Sequence, residues 1–153
     1  MKKFMMTLSL VLGFAVAASA QSKPRAVGLN LGWGADISYQ HSLSKDFIEL
    51  DLGLYTFNSL NASCVYNFMI AQPNWTDRGE WGFYAGPGVA LGMGFGNDDN
   101  NYFHLAVAGQ VGLEYTFWFP LQLSIDLRPT IGYSFGNNLY WGVCPALGIR
   151  YRF

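Results

Sequence analysis

Leu121-Gln122-Leu123-Ser124-Ile125-Asp126-Leu127-Arg128 decides the fold, because every odd position in it is apolar and every even one is polar or charged. Successive side chains of a β-strand leave opposite faces, whereas a helix would scatter these apolar residues around its axis. The segment therefore reads as a strand with one greasy side and one polar side. The last stretch repeats the rhythm: Trp141, Val143, Pro145, Leu147, Ile149, Tyr151 and Phe153 alternate with Gly142, Cys144, Ala146, Gly148, Arg150 and Arg152. From Phe103 to Trp118 the apolar set is Leu105, Val107, Val111, Leu113, Tyr115 and Phe117, interleaved with His104, Ala106, Ala108, Gln110, Gly112, Glu114 and Thr116.

Working further outward, Trp81, Phe83, Val89, Leu91, Met93 and Phe95 alternate with a face made mostly of glycine, and Ile48, Leu50, Leu52 and Leu54 alternate with Glu49, Asp51 and Gly53. Asn61 to Ala71 forms a less regular strand. Arg25 to His41 reads either as one long strand or as a hairpin turning at Gly32-Trp33-Gly34-Ala35. The connections are turn-like: Ser42 to Asp46, Asn58 to Asn61, Gln72 to Glu80, Asn97 to Asn101, Phe119-Pro120, and Gly136 to Leu139.

The composition narrows the class. Of the 153 residues 51% are hydrophobic, 17% aromatic and only 12% charged, against about 25% charged in an ordinary soluble domain. Beyond residue 20 no apolar run reaches the roughly 20 residues a spanning helix needs. Lipid admits one other fold that pairs every backbone group, the closed β-barrel. The net charge of −1 suggests neither a nucleic-acid surface nor an acidic tail.

At the N-terminus Lys2 and Lys3 precede an apolar stretch from Phe4 to Ala17 and the small residues Ala18-Ser19-Ala20. This is the pattern of a cleaved signal peptide over residues 1–20, leaving 21–153 as a single domain. Cys64 and Cys144 could pair in an oxidising compartment, but they fall on opposite strand faces across the barrel and are expected to be unpaired.

The character of the less apolar face sets the orientation. A soluble β-sandwich or lipocalin-like barrel also alternates, but its wet face carries abundant Lys, Glu and Thr. Here that face is largely Gly, Ala and Ser with a few charges, which suits the narrow interior of an eight-stranded barrel. Aromatic residues fall near strand ends: Tyr115, Phe117, Trp118, Phe119, Tyr151 and Phe153 toward one rim, and Phe95, Tyr102, Phe103, Tyr133, Phe135, Tyr140 and Trp141 toward the other. Such bands suit the two interfaces of a bilayer. The expected fold is thus all-β, an eight-stranded antiparallel up-and-down transmembrane β-barrel. The hairpin reading of Arg25 to His41 is preferred because single-chain bacterial barrels have an even strand number.

With its signal peptide, its alternating strands and the ending Gly148-Ile149-Arg150-Tyr151-Arg152-Phe153, the chain resembles the small outer-membrane β-barrel proteins of Gram-negative bacteria, the OmpA/OmpX-like eight-stranded kind. The resemblance implies residence in the outer membrane as a monomer among its lipids. It also implies handling by periplasmic chaperones and the barrel-assembly machinery, with Ile149, Tyr151 and Phe153 as the assembly signal. Two features depart from that pattern. The loop Gln72 to Glu80 falls on the periplasmic side, where turns are usually short, and the presumed outer loops are brief. Pro87, Pro129 and Pro145 lie within strands, where each removes a ladder donor, so bulges, or positions above the paired region, are expected there.

The inward face collects Asp36, Glu49, Asp51, Glu114 and Asp126 against Arg128, Arg150 and Arg152. Enclosed charges are costly unless paired, so these residues are expected to form a polar network that fills the lumen, with a narrow solute channel as the alternative. No cofactor, metal or nucleotide motif is present in the sequence. A lipid-modifying enzyme would need a nucleophile with a positioned base. His104 near Ser134, with Asp98 or Asp99 close by, is the one candidate, and a non-catalytic role is expected.

Overall fold

The computed structural model describes residues 25–55, 59–94, 102–135 and 138–153. The signal-peptide stretch, Phe95, Asp98 and Asp99 lie outside the described residues, as do the side chains of Tyr55 and Tyr102. Eight strands follow one another: β1 (Arg25–Leu31), β2 (Gly34–Leu43), β3 (Asp46–Tyr55), β4 (Ser59–Ala71), β5 (Glu80–Gly94), β6 (Tyr102–Thr116), β7 (Leu121–Ser134) and β8 (Leu139–Arg152). Each pairs antiparallel with its neighbours, and β1 pairs with β8 to close the barrel. Arg25 and Phe153 complete the seam by exchanging two backbone hydrogen bonds of 2.8 Å.

Gly32 and Trp33 separate β1 from β2, so Arg25 to His41 is a hairpin and not one long strand. Ser44, with φ of +67°, makes the equally short turn to β3. Both turns are too short to bridge anything but adjacent antiparallel strands. In an all-antiparallel barrel the connections alternate between ends. The Ser44-Lys45 turn, residues 72–79 and residues 117–120 therefore share one end with both described termini.

Parity separates the faces as the alternation requires. Ile125 and Leu147, both 56% exposed, stand on the outer wall beside Leu123 and Ile149, while Glu49 at 0% and Arg150 at 1% are enclosed. The interior is tight because small residues sit opposite large ones. A Cβ at Gly112 would lie 2.5 Å from the Tyr84 ring and 2.8 Å from Asp126 Cβ, so that glycine makes the space Tyr84 occupies. Gly112→Val is accordingly expected to destabilise the barrel by about 1–3 kcal/mol through overpacking, read as a lower urea midpoint by tryptophan fluorescence.

The expectation for the prolines is corrected. Pro87 stays in register with Gly109, Pro129 with Val143 and Pro145 with Leu127, within the paired region. Each proline can face one neighbour without needing its missing N–H. On the other side the ladder is interrupted: β4 skips Tyr66 and Asn67, and β6 skips Gly109 and Gln110, without a change of register. Beside Pro145, β1 has already ended at Leu31. The one register shift among the described pairs falls between Met69 and Ala71 on β4.

The aromatic bands are also largely resolved. Near the termini Trp81, Tyr115, Phe117 and Phe119 form a chain of rings with centroids 4.6–4.9 Å apart. The 72–79 loop folds outward onto them: Trp75 packs on Trp81, Arg78 lies 6.0 Å over Trp118, and Tyr115 OH donates to the Arg78 carbonyl. At the opposite end Phe103, Tyr133 and Phe135 cluster. Tyr140, expected in that outer band, instead has its ring against His104 at 5.6 Å. It shares the even parity of Gly142 and Cys144 on β8, and so it belongs to the inner face.

Candidate functional site

The middle of the lumen is crossed by one polar network to which every strand contributes. Its centre is Glu49 on β3, whose inward position follows from its alternation with Leu50 and Leu52. Glu49 Oε1 accepts from Arg128 Nη2 at 2.6 Å, Arg150 Nη2 at 2.8 Å and Asn30 Nδ2 at 3.0 Å, and Oε2 accepts from Gln40 Nε2 at 2.8 Å. Gln110 Nε2 reaches the same carboxylate at 3.3 Å and is itself bonded by Asn67.

The two arginines divide the work. Arg128 on β7 bridges three carboxylates, donating from Nε to Asp126 at 2.8 Å, from Nη1 to Asp51 at 2.6 Å and from Nη2 to Glu49. Arg150 on β8 pairs with Glu49 and also donates to Ser38, Ser124 and Asn30 at 2.7–3.0 Å. A planar guanidinium has five donors in a fixed fork, and here Nε and both Nη atoms of each are used. Tyr84 on β5 closes the ring by donating to Asp126 at 3.3 Å.

Two positive and three negative side chains meet in this cluster. Each is within hydrogen-bonding distance of an opposite charge, the condition under which enclosed charge is tolerated. Toward the termini Phe47 and Tyr84 meet edge to face at 5.1 Å and form an apolar layer. What the arrangement can do chemically is fill and cross-link the lumen.

Of the residues expected from the sequence, Glu49, Asp51, Asp126, Arg128 and Arg150 are brought together. Glu114 and Arg152 are not part of the cluster. They lie nearer the termini, where Gln122 donates to Glu114 and Arg152 donates to Thr116 at 2.9 Å. Asp36 sits half-buried beside Gly53, outside the ion pairs. Ile149 and Tyr151 point outward on β8, and the Tyr151 and Phe153 rings stack 6.4 Å apart. His104 and Ser134 face each other across β6 and β7, but His104 Nε2 is hydrogen-bonded to Asn61 Oδ1 at 2.8 Å. Cys64 is exposed and Cys144 half-buried, and both are free thiols.

The neutral partners Asn30, Ser38, Gln40, Asn67, Gln110 and Ser124 were not singled out by their sequence, although most share the parity of the charged residues on their strands. The signal was present in the alternation; which amide would reach which carboxylate was not. No family of known proteins, no curated protein and no solved structure matches this chain.

Proposed function

We propose that this protein is a non-catalytic integral barrel of the Gram-negative outer membrane, with a structural or surface-interaction role in the cell envelope. The observation that carries the reading is the outer wall. Leu29, Ile37, Leu52, Ile70, Val89, Val107, Ile125 and Leu147 all stand at least 50% exposed on it, with one taken from each strand, while the charges of the central cluster are enclosed. Contiguous apolar surface on that scale is rare on a monomer in water and is the normal exterior of a barrel in lipid. The aromatic clusters at both rims support the same reading.

A filled lumen favours a plug over a pathway, since eight strands leave little open cross-section. The test is envelope fractionation followed by gel migration before and after boiling. Recovery with the outer membrane and a mobility shift on boiling are expected. Co-fractionation with the periplasmic contents would refute the membrane assignment, and a steady single-channel current in planar bilayers would refute the plug.

A further inference from the structure

The seam that closes the barrel is shorter than the strand it closes on. β8 is paired with β7 from Tyr151 to Leu139, but with β1 only from Arg152 to Leu147, opposite the last residue of β1, Leu31. Arg25 and Phe153 exchange both of their backbone hydrogen bonds, and in an antiparallel pair such positions recur at every second residue. The odd residues of β8 therefore turn their N–H and C=O toward the β1 side. Beyond Leu147 these are Pro145, Val143, Trp141 and Leu139, and no strand among the described residues pairs with them there. The β1–β2 turn reaches as far as Pro145, since a Cβ on Gly32 would lie 2.7 Å from the Pro145 carbonyl oxygen. Proline has no N–H to leave open, whereas Val143, Trp141 and Leu139 do.

The side chains mark the same stretch. Trp141 at 79% and Leu139 at 70% are the most exposed large apolar residues described. Free strand edges are ordinarily guarded by charge, proline or a bulge, and Leu139 to Val143 carries none of these. Leu139 pairs with Tyr133 of the aromatic cluster at that end, and Val143 pairs with Pro129, about 13 Å further along the strand at 3.3 Å per residue. Under the membrane reading, on which this step rests, the open backbone groups begin at headgroup level and run into hydrocarbon. An unmet backbone group is costly there, and acyl chains have no donor or acceptor to offer it.

We infer that this free edge of β8 is a docking strand for an extended segment of another protein. The occupant has to present a donor and an acceptor at every second residue, which is what a polypeptide strand added to a sheet edge does. A second copy standing the same way up does not meet that need. Barrel strands tilt roughly 35–45° to the axis, so the facing walls of two upright barrels cross instead of forming a ladder. The segment that fits is short, because the Gly32 turn stops it at Pro145, and it sets apolar side chains beside Leu139, Trp141 and Val143 on the outer face.

The test follows backbone amide resonances of the folded, heat-modifiable protein in micelles while the blocked heptapeptide KVTVTVK is added. Its valines have the parity that turns their N–H groups toward β8, and its threonines turn theirs away. A saturable downfield shift of the Trp141 and Val143 amide protons is expected, with Ile149 and Tyr151, already paired to β1, unmoved. Methylating the valine nitrogens should weaken binding at least ten-fold, and methylating the threonine nitrogens should not. Val143→Pro removes an edge donor without touching the β7 ladder and should weaken the unmodified peptide by a similar factor; should that variant fail to fold, the methylated peptides make the same distinction. No saturable shift, or equal binding by the valine-methylated peptide, would overturn the assignment. So would shifts that follow protein concentration with no peptide present, which would make the occupant a second copy. Failure of the membrane reading shows separately, in the fractionation, and leaves peptide binding in micelles standing.

Discussion

Replacing Glu49 by leucine is expected to destabilise the barrel by about 3–5 kcal/mol, the range for removing one partner from a buried ion pair. The carboxylate takes hydrogen bonds from Asn30, Gln40, Gln110, Arg128 and Arg150. Arg128 would keep Asp51 and Asp126. Arg150, 1% exposed, would keep only neutral oxygens on Ser38, Ser124 and Asn30. The loss thus falls mainly on one buried guanidinium left without a salt-bridge partner, and Glu49→Leu with Arg150→Met should recover a large part of it. Urea midpoints of the wild type, the two single variants and the double variant measure the coupling. Additive losses would show that the two side chains do not act as a pair.

Placing arginine at Ile125 is the second large effect, and its size depends on what surrounds the wall. Ile125 sits outward on β7 between Leu123 and Leu127, paired with Leu113 on one side and Leu147 on the other. Under the proposed membrane reading, Ile125→Arg costs about 2–4 kcal/mol, the depth-dependent penalty for a cation at mid-bilayer. In water the same change on an exposed side chain stays within about 0.5 kcal/mol. Folding into lipid vesicles, compared with Leu121→Arg near the rim, measures the difference. Equal and negligible costs at both positions would place the wall in water.

The strand pattern was legible because a wall facing one medium outside and another inside must alternate, and Leu121 to Arg128 does so without exception. The β1–β2 hairpin was legible only by strand parity, since Gly32 to Ala35 is compatible with either reading. The prolines misled because a single chain does not show which neighbour each N–H would face. Pro87, Pro129 and Pro145 each occupy a position where the interrupted or absent pairing lies on one side only. Tyr140 was grouped by residue type with the rim, although its even position in β8 puts it inside with Gly142 and Cys144.

By itself the sequence determined the fold class, most of the division of residues between the two faces, and the inward side of Glu49, Asp51, Glu114, Asp126 and Arg150, because period-two alternation is a local property of the chain. Only the tertiary structure decided which of those charges meet. Closing β1 onto β8 sets the stagger of all eight strands, and that stagger brings Arg128 and Arg150 onto Glu49, separated from it by 79 and 101 residues. It also leaves Glu114 and Arg152 nearer the termini, outside the cluster. Register around a closed ring depends on every strand pair together, and no single stretch of sequence contains it.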